Sequence, residues 1–440
     1  MSFRSMSLAA AAALALTGLS GGANAQVEID WWHAMGGELG NRLNEIAEGF
    51  NASQSEFKVN PVYRGNYTET MTAAIAAFRA KEQPHVVQVF EVGTASMMSA
   101  KGAIYPVYEI MQKHGVNWDP SIYLPAVVGY YTDPAGNMLS MPFNSSTPVM
   151  YYNKDAFKKA GLDPDKPPKT WEELADASRK IIAADAAKCG FTTGWQSWVQ
   201  LENFSALHNV PFSTLSNGFE GLGTEFKFNS DLHKRHIKDM RDWQGEGVFK
   251  YGGRRSDAAP LFYSGECAMY MNSSAAQAGV AANVKFDYGV AMLPYYGDVA
   301  GAPQNSIIGG ATLWVLQGHP EDEYEGVAAF FQYLSRPEVQ ATWHQQTGYL
   351  PITMPAYELS NKQGFYQKHP GTDVSIKQMT LNPPTGNSRG LRLGNFVQIR
   401  DIINEELEQV WAGDKSADEA LDDAVERGNT LLRQFQQDNS

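Results

Sequence analysis

The chain has 440 residues, with 48 Asp plus Glu against 35 Lys plus Arg, and so a formal charge of −13. Proteins that grip nucleic acid or lie on anionic membranes need a basic face, and this acidic chain, with charges of both signs interspersed, offers none. A hydrophobic fraction of 43% with 12% aromatic residues describes a globular chain, long enough for two or three domains of about 150 residues.

Residues 1–25 hold one charge, Arg4, then an apolar stretch over residues 8–19, then Ala23-Asn24-Ala25 ahead of Gln26. This is the three-part pattern of a secretory signal peptide cut after Ala25. The apolar run is shorter than the roughly 20 residues of a membrane span. Removal of Arg4 leaves 48 acids against 34 bases, or −14. Export places the two cysteines, Cys189 and Cys267, in an oxidising compartment where a disulfide between them can form. Their spacing makes neither a zinc site nor a redox motif.

From Gln26 onward, strand and helix patterns alternate. Residues 27–31 are a short β-prone run, and Leu39, Leu43, Ile46, Ala47 and Phe50 form the apolar stripe of an amphipathic helix. Residues 57–63 read as a strand, Tyr67, Met71, Ile75 and Phe78 mark a second helix, and residues 85–92 read as a buried strand. The alternation predicts an α/β protein with mainly parallel sheets flanked by helices. Ligands of such sheets collect at the carboxyl ends of the strands, where Trp32, His33, Tyr67 and Glu91 fall. A second lobe begins over residues 145–152. Thr170-Trp171-Glu172-Glu173 is a capping box that opens a helix. It puts Trp171 on the first turn, an unusual place for so large a residue unless something packs on it. Residues 286–294 and 307–316 read as a return to the first sheet, and Ser416-x-x-Glu419 caps the final helix.

The sequence lacks GxxxxGK[ST], strand-borne GxGxxG, HExxH and EF-hand strings and has no GxSxG elbow, since Gly18-Leu19-Ser20-Gly21-Gly22 falls in the signal segment and Gly386-Asn387-Ser388-Arg389-Gly390 in a polar stretch after Pro383-Pro384, so the common nucleotide, hydrolase and metal motifs are missing. His233 and His236 have helical spacing, but Lys234 and Arg235 between them read as a solvated face. No metal, cofactor or catalytic residue is expected. What remains is a scatter of hydroxyls, glycines and arginines: Asn144-Ser145-Ser146-Thr147, Asn272-Ser273-Ser274, Gly309-Gly310, Thr347-Gly348-Tyr349, and Arg389, Arg392 and Arg400. Taken singly, each is ordinary turn chemistry. Taken together, small hydroxyls and glycines let backbone N–H groups approach an anion, and arginine adds bidentate contacts.

Longer strings carry a resemblance. Trp32-His33-Ala34-Met35-Gly36-Gly37-Glu38, Gly65-Asn66-Tyr67, Glu91-Val92-Gly93-Thr94, Phe143-Asn144-Ser145-Ser146-Thr147-Pro148, Tyr151-Tyr152-Asn153-Lys154-Asp155, Ile307-Ile308-Gly309-Gly310-Ala311, Thr347-Gly348-Tyr349-Leu350-Pro351 and Gly390-Leu391-Arg392-Leu393-Gly394-Asn395 look like the extracellular solute-binding proteins of ABC importers. Within that family the chain is most similar to the branch that takes sn-glycerol 3-phosphate, and the likeness spans essentially the whole mature chain. It implies a periplasmic, monomeric binding module of two lobes that close on one ligand and deliver it to membrane permease subunits. The lobes are expected as residues 26–141 with 289–340, and 142–288 with 341–440.

Carried over motif by motif, the resemblance implies a pocket of Tyr67, Glu91, Ser146, Trp171, Ser273, Gly310, Tyr349 and Arg400, with Ser274 an alternative to Ser273. Arg400, the one formal positive charge in that set, is expected to face the phosphate, Glu91 to accept from the glycerol hydroxyls, and Trp171 to wall the carbon backbone. A glycerophosphodiester such as glycerophosphocholine would need room at that tryptophan. Two other readings compete. The 10 Trp and 20 Tyr fit a sugar cleft, and Glu91 with Glu202 could serve a secreted hydrolase as an acid and base pair.

Overall fold

The computed structural model describes residues 26–100 and 102–440; the signal segment lies outside them. The described residues form ten strands: β1 (Val27–His33), β2 (Phe57–Tyr63), β3 (Val86–Phe90), β4 (Ile104–Tyr105), β5 (Met141–Ser146), β6 (Pro148–Asn153), β7 (Cys189–Thr193), β8 (Cys267–Ser273), β9 (Tyr288–Ala291) and β10 (Gly309–Leu316). They form two sheets, ordered β2-β1-β3-β10-β4 with β5 also on β10, and β7-β8-β6-β9. Helices flank both.

The first lobe follows its sequence pattern. Helix Gly37–Ser53 buries Leu43, Ala47 and Phe50, three of the five residues of the predicted stripe. Helix Tyr67–Ala80 starts at a capping box in which Asn66 accepts from the Glu69 amide and Glu69 reaches back. This local satisfaction of helix-end amides fixes Tyr67 as the first helical residue, just past the carboxyl end of β2. Strand β3 is buried along its whole length, and Glu91 follows it in a single 3-10 turn. Trp31, Val86, Val87, Leu313 and Trp314 are inaccessible to solvent, and burying side chains of this size contributes about 1.5–3 kcal/mol each.

The sheets are mixed rather than mainly parallel. β1 pairs in parallel with β2 and β3, but β10 runs antiparallel to β3, β4 and β5. In the second sheet only β7 and β8 are parallel. The lobe limits also differ from expectation. β9 pairs with β6 and stays in the second lobe, so the return to the first occurs at β10. β5 belongs to the first sheet. Trp343, Tyr349, Leu350 and Ile352 lie in the first lobe's core with Trp31 and Phe143. Periodicity reveals that a strand or helix exists, but its partner is chosen by surfaces distant in sequence.

Three contacts tie the crossings between lobes together. The Thr147 hydroxyl, between β5 and β6, meets Ser306 Oγ at 2.6 Å and the Ile307 carbonyl at 3.0 Å. The Leu350 amide donates to the Ser145 carbonyl at 2.7 Å. Helices Met354–Lys362 and Val374–Met379 then carry the chain to the second lobe, where helix Phe396–Ala412 packs on the final helix, Ala417–Asn439. Cys189 and Cys267 face each other across β7 and β8 and are bonded.

His233 and His236 are buried, not solvated. Helix Asp231–Gly245 turns both inward with Ile237 and Met240, while Lys234 and Arg235 form ion pairs outside. His233 lies between the hydroxyls of Ser205 and Ser230, and His236 Nε2 meets Gln200 Oε1 at 3.1 Å. Burial lowers the pKa of His233 to about 3, of His208 and His344 to about 4, and of His236 well below its ordinary value.

In the unfolded chain these rings take protons near pH 6.5, whereas the folded protein resists doing so. The stability they contribute is therefore present above about pH 6.5 and is lost as pH falls toward 4. Melting experiments are expected to show stability falling on acidification, by up to roughly 1.4 kcal/mol per histidine per pH unit. A His233→Gln variant should show a shallower fall.

Candidate ligand-binding cleft

The cleft between the sheets holds a cavity of 210 Å³. Tyr67, Glu91, Ser146, Ser273, Gly310, Tyr349 and Arg400 all border it, although they span more than 300 positions of sequence. Tyr67 and Glu91 follow β2 and β3, Ser146 ends β5 at the first crossing, Ser273 ends β8, and Gly310 lies in the return strand. The Leu350–Ser145 contact fixes Tyr349 beside the first crossing.

A buried relay orients the hydroxyls. Gln88 accepts from the Ala34 amide at 2.9 Å and donates to Asn144 Oδ1 at 2.8 Å, and Asn144 Nδ2 donates to the Tyr67 oxygen at 3.1 Å. Because Tyr67 accepts there, its own O–H remains available to donate. Its ring stacks on Phe90 at 5.1 Å, and Tyr349 stacks on Trp343 at 5.5 Å. Burial drives the Tyr67 pKa well up and pushes that of Tyr349 up to about 12, so both phenols stay protonated donors at neutral pH. Gly310 has φ +103°, and a Cβ there would stand 2.0 Å from the Asn144 carbonyl oxygen. At Gly309 a Cβ would meet the Trp198 ring at 2.4 Å. Ser273 borders the cavity and its hydroxyl accepts from the Ala275 amide. Ser274 is not on the cavity; its carbonyl accepts from Tyr151.

Two expectations are corrected. Trp171 does not border the cavity. It is 3% exposed and packs in the second lobe's core, stacked on Trp243 at 5.9 Å and beside His236 at 4.7 Å. Its place on a first helical turn is explained by that aromatic cluster. Arg400 does border the cavity, but its charge is already paired. Its Nε and Nη2 donate to the two oxygens of Glu202 at 2.9 and 2.6 Å, and Nη2 also reaches Glu91 at 2.8 Å.

All three groups of this triad are buried. Burial opposes the Arg400 charge, but the two carboxylates hold its proton more firmly than usual. Burial raises the Glu91 pKa, with Glu202 adding to the rise and Arg400 opposing it. The triad therefore presents carboxylate oxygens and the Arg400 Nη1 hydrogens to a ligand, and no surplus positive charge. Arg389 and Arg392 are elsewhere. Arg392 donates to the carbonyls of Gly129, Tyr130 and Thr132, and both lie over the Phe219 ring.

Sequence reasoning missed Trp195, Trp198 and Arg255, which also border the cavity, named Asn272 only as part of a polar run, and considered Glu202 only as half of a hydrolase pair. Gly194-Trp195-Gln196-Ser197-Trp198 was the available signal: two tryptophans three apart beside a glycine, directly after a strand.

The chain belongs to the bacterial extracellular solute-binding proteins, whose family profile matches residues 36–341. It is 52% identical over 429 residues, 97% of this chain and 96% of the relative, to the sn-glycerol-3-phosphate-binding periplasmic protein UgpB of Pectobacterium atrosepticum. It is also 52% identical over 421 residues to UgpB of Yersinia enterocolitica, covering 96% of this chain and 95% of that one. Among solved structures, UgpB from Mycobacterium tuberculosis in complex with glycerophosphocholine superposes with a TM-score of 0.79 at 21% identity, over 93% of this chain and 100% of that one. The cyclic alpha-maltosyl-1,6-maltose binding protein from Arthrobacter globiformis gives 0.72 at 21% identity, over 93% and 100%. At that identity the structural likeness speaks for the two-lobed fold.

Proposed function

We propose that this protein is the periplasmic, monomeric receptor that captures sn-glycerol 3-phosphate and hands it to the permease subunits of an ABC importer, without transforming it. The observation that carries this reading is the mixed polar lining of a small cavity: Glu91 and Arg400, suited to the two glycerol hydroxyls, and the hydroxyls of Tyr67, Ser146, Ser273 and Tyr349 with Gly310, suited to phosphate oxygens. The near-full-length relatives named for this ligand support the same choice. At 210 Å³ the cavity is below the roughly 300–1,000 Å³ of drug-sized sites, which disfavours an oligosaccharide. A hydrolase is disfavoured because one guanidinium holds both carboxylates, leaving no separate acid and base.

Calorimetric titration with sn-glycerol 3-phosphate is expected to show a single site, with no competition from maltose and no turnover of glycerophosphodiesters. Absence of heat at millimolar ligand, or displacement by maltose, would overturn the assignment. The aromatic wall that a bulky head group would meet is formed by Trp195 and Trp198, not by Trp171. Trp195→Ala is expected to open the cleft, so that the ratio of glycerophosphocholine to glycerol 3-phosphate affinity rises by roughly tenfold, the scale of one large apolar contact. Paired titrations of the two ligands measure that ratio.

A further inference from the structure

Resting on the phosphate reading above, we propose that Arg255 supplies the counter-charge for the ligand's phosphate and makes the cleft favour the dianion of a phosphate monoester. Charge is the starting point. The triad carries one guanidinium against two carboxylates, so a ligand bringing about two more negative charges at neutral pH meets no surplus cation there. Arg255 borders the same cavity as Ser146, Ser273 and Gly310. Among the described residues its guanidinium has no carboxylate within 4.0 Å and enters no hydrogen bond, whereas that of its neighbour Arg254 is held bidentately by Glu408 at 2.8 and 2.5 Å.

The backbone holding Arg255 is fixed. Its carbonyl accepts from the Trp195 amide at 2.9 Å, its amide donates to Asp257 Oδ2 at 3.3 Å, and Asn272 donates to the next residue, Ser256, at 3.3 Å. Tyr251 and Arg254 both bind Glu408. Gly253 turns the strap at φ +124°, where a Cβ would meet the Asp257 side chain at 2.5 Å. A half-buried arginine on a strap anchored at both sides loses less freedom on meeting an oxyanion than one on a mobile loop. The strap also joins Arg255 to Trp195, so the cation and the aromatic wall lie side by side.

The test compares wild type, Arg255→Gln and Arg255→Lys by titration with sn-glycerol 3-phosphate on either side of the phosphate's second pKa, near about 6. Wild type is expected to bind more tightly at about pH 7.5 than at about pH 5, as the dianion forms. Arg255→Gln should lose roughly tenfold or more at the higher pH and much less at the lower, and its salt dependence should flatten. Arg255→Lys should keep most of the affinity. Equal loss at both pH values would mark a merely structural role, and affinity within twofold of wild type would remove Arg255 from recognition; either overturns the proposal while leaving the ligand assignment intact. Failure of wild type itself to bind would overturn the ligand assignment and this proposal with it.

Discussion

Arg400→Ala is expected to destabilise the protein by about 3–5 kcal/mol and to abolish ligand binding, because it leaves Glu91 and Glu202 buried together without their shared cation. Glu91 stands on the first lobe, whereas Glu202 and Arg400 stand on the second, so the Arg400–Glu91 contact at 2.8 Å also joins the lobes across the cleft. Denaturant titration and calorimetry measure the two losses. Adding Glu91→Gln and Glu202→Gln to the arginine variant should recover much of the stability, since no buried charge then lacks a partner, but should not recover binding. Recovery of binding would mean that the triad serves only the fold. This expectation differs from one in which the arginine is simply an anion receptor. A lost phosphate contact would lower affinity and leave the midpoint of unfolding nearly unchanged.

Gly310→Ala is expected to be nearly as disruptive. At φ +103° an alanine is strained by about 1–3 kcal/mol, and its Cβ would stand 2.0 Å from the Asn144 carbonyl oxygen, forcing β5 and β10 apart at Gly310↔Ser145. Asn144 anchors the relay to Tyr67, so displacement there disorients the phenol as well as the crossing strands. We expect a loss of affinity above 100-fold by titration together with a lower melting temperature. Gly301→Ala is the control: its φ is +85°, but nothing lies within 4 Å of the added carbon. It should show the backbone strain alone, with affinity unchanged. Equal behaviour of the two variants would remove the role assigned to the Gly310–Asn144 contact.

Much of the cleft is legible in the sequence. Thr170 and Glu173, and Ser416 and Glu419, each form the box that their spacing specifies, because capping is local chemistry between residues three apart. Tyr67 and Glu91 fell at strand ends because hydrophobic runs delimit strands. Ser146, Gly310 and Tyr349 came from resemblance, and the structure gathers them around one cavity because two lie in strands paired with each other and the third is hydrogen-bonded beside them. Trp171 was misplaced because its cap fixed where its helix starts but not which aromatic neighbours it meets. Histidines 233 and 236 were misplaced because the charged pair between them marks the opposite face of the same helix.

The sequence alone determined the first strands and helices up to Val92, the helix starts at Trp171 and Ala417, and a donor set without nucleotide or metal motifs, since each depends on neighbours within a few positions. Only the tertiary structure decided the strand partners, the aromatic wall of Trp195 and Trp198, and the balance of charge in the cleft. Arg400 is neutralised by groups 198 and 309 positions away, and among the described residues the Arg255 guanidinium has no carboxylate within 4.0 Å while Glu408 binds its neighbour Arg254. Coulomb and hydrogen-bond energies depend on separation in space, and no pattern of spacing along the chain encodes that separation.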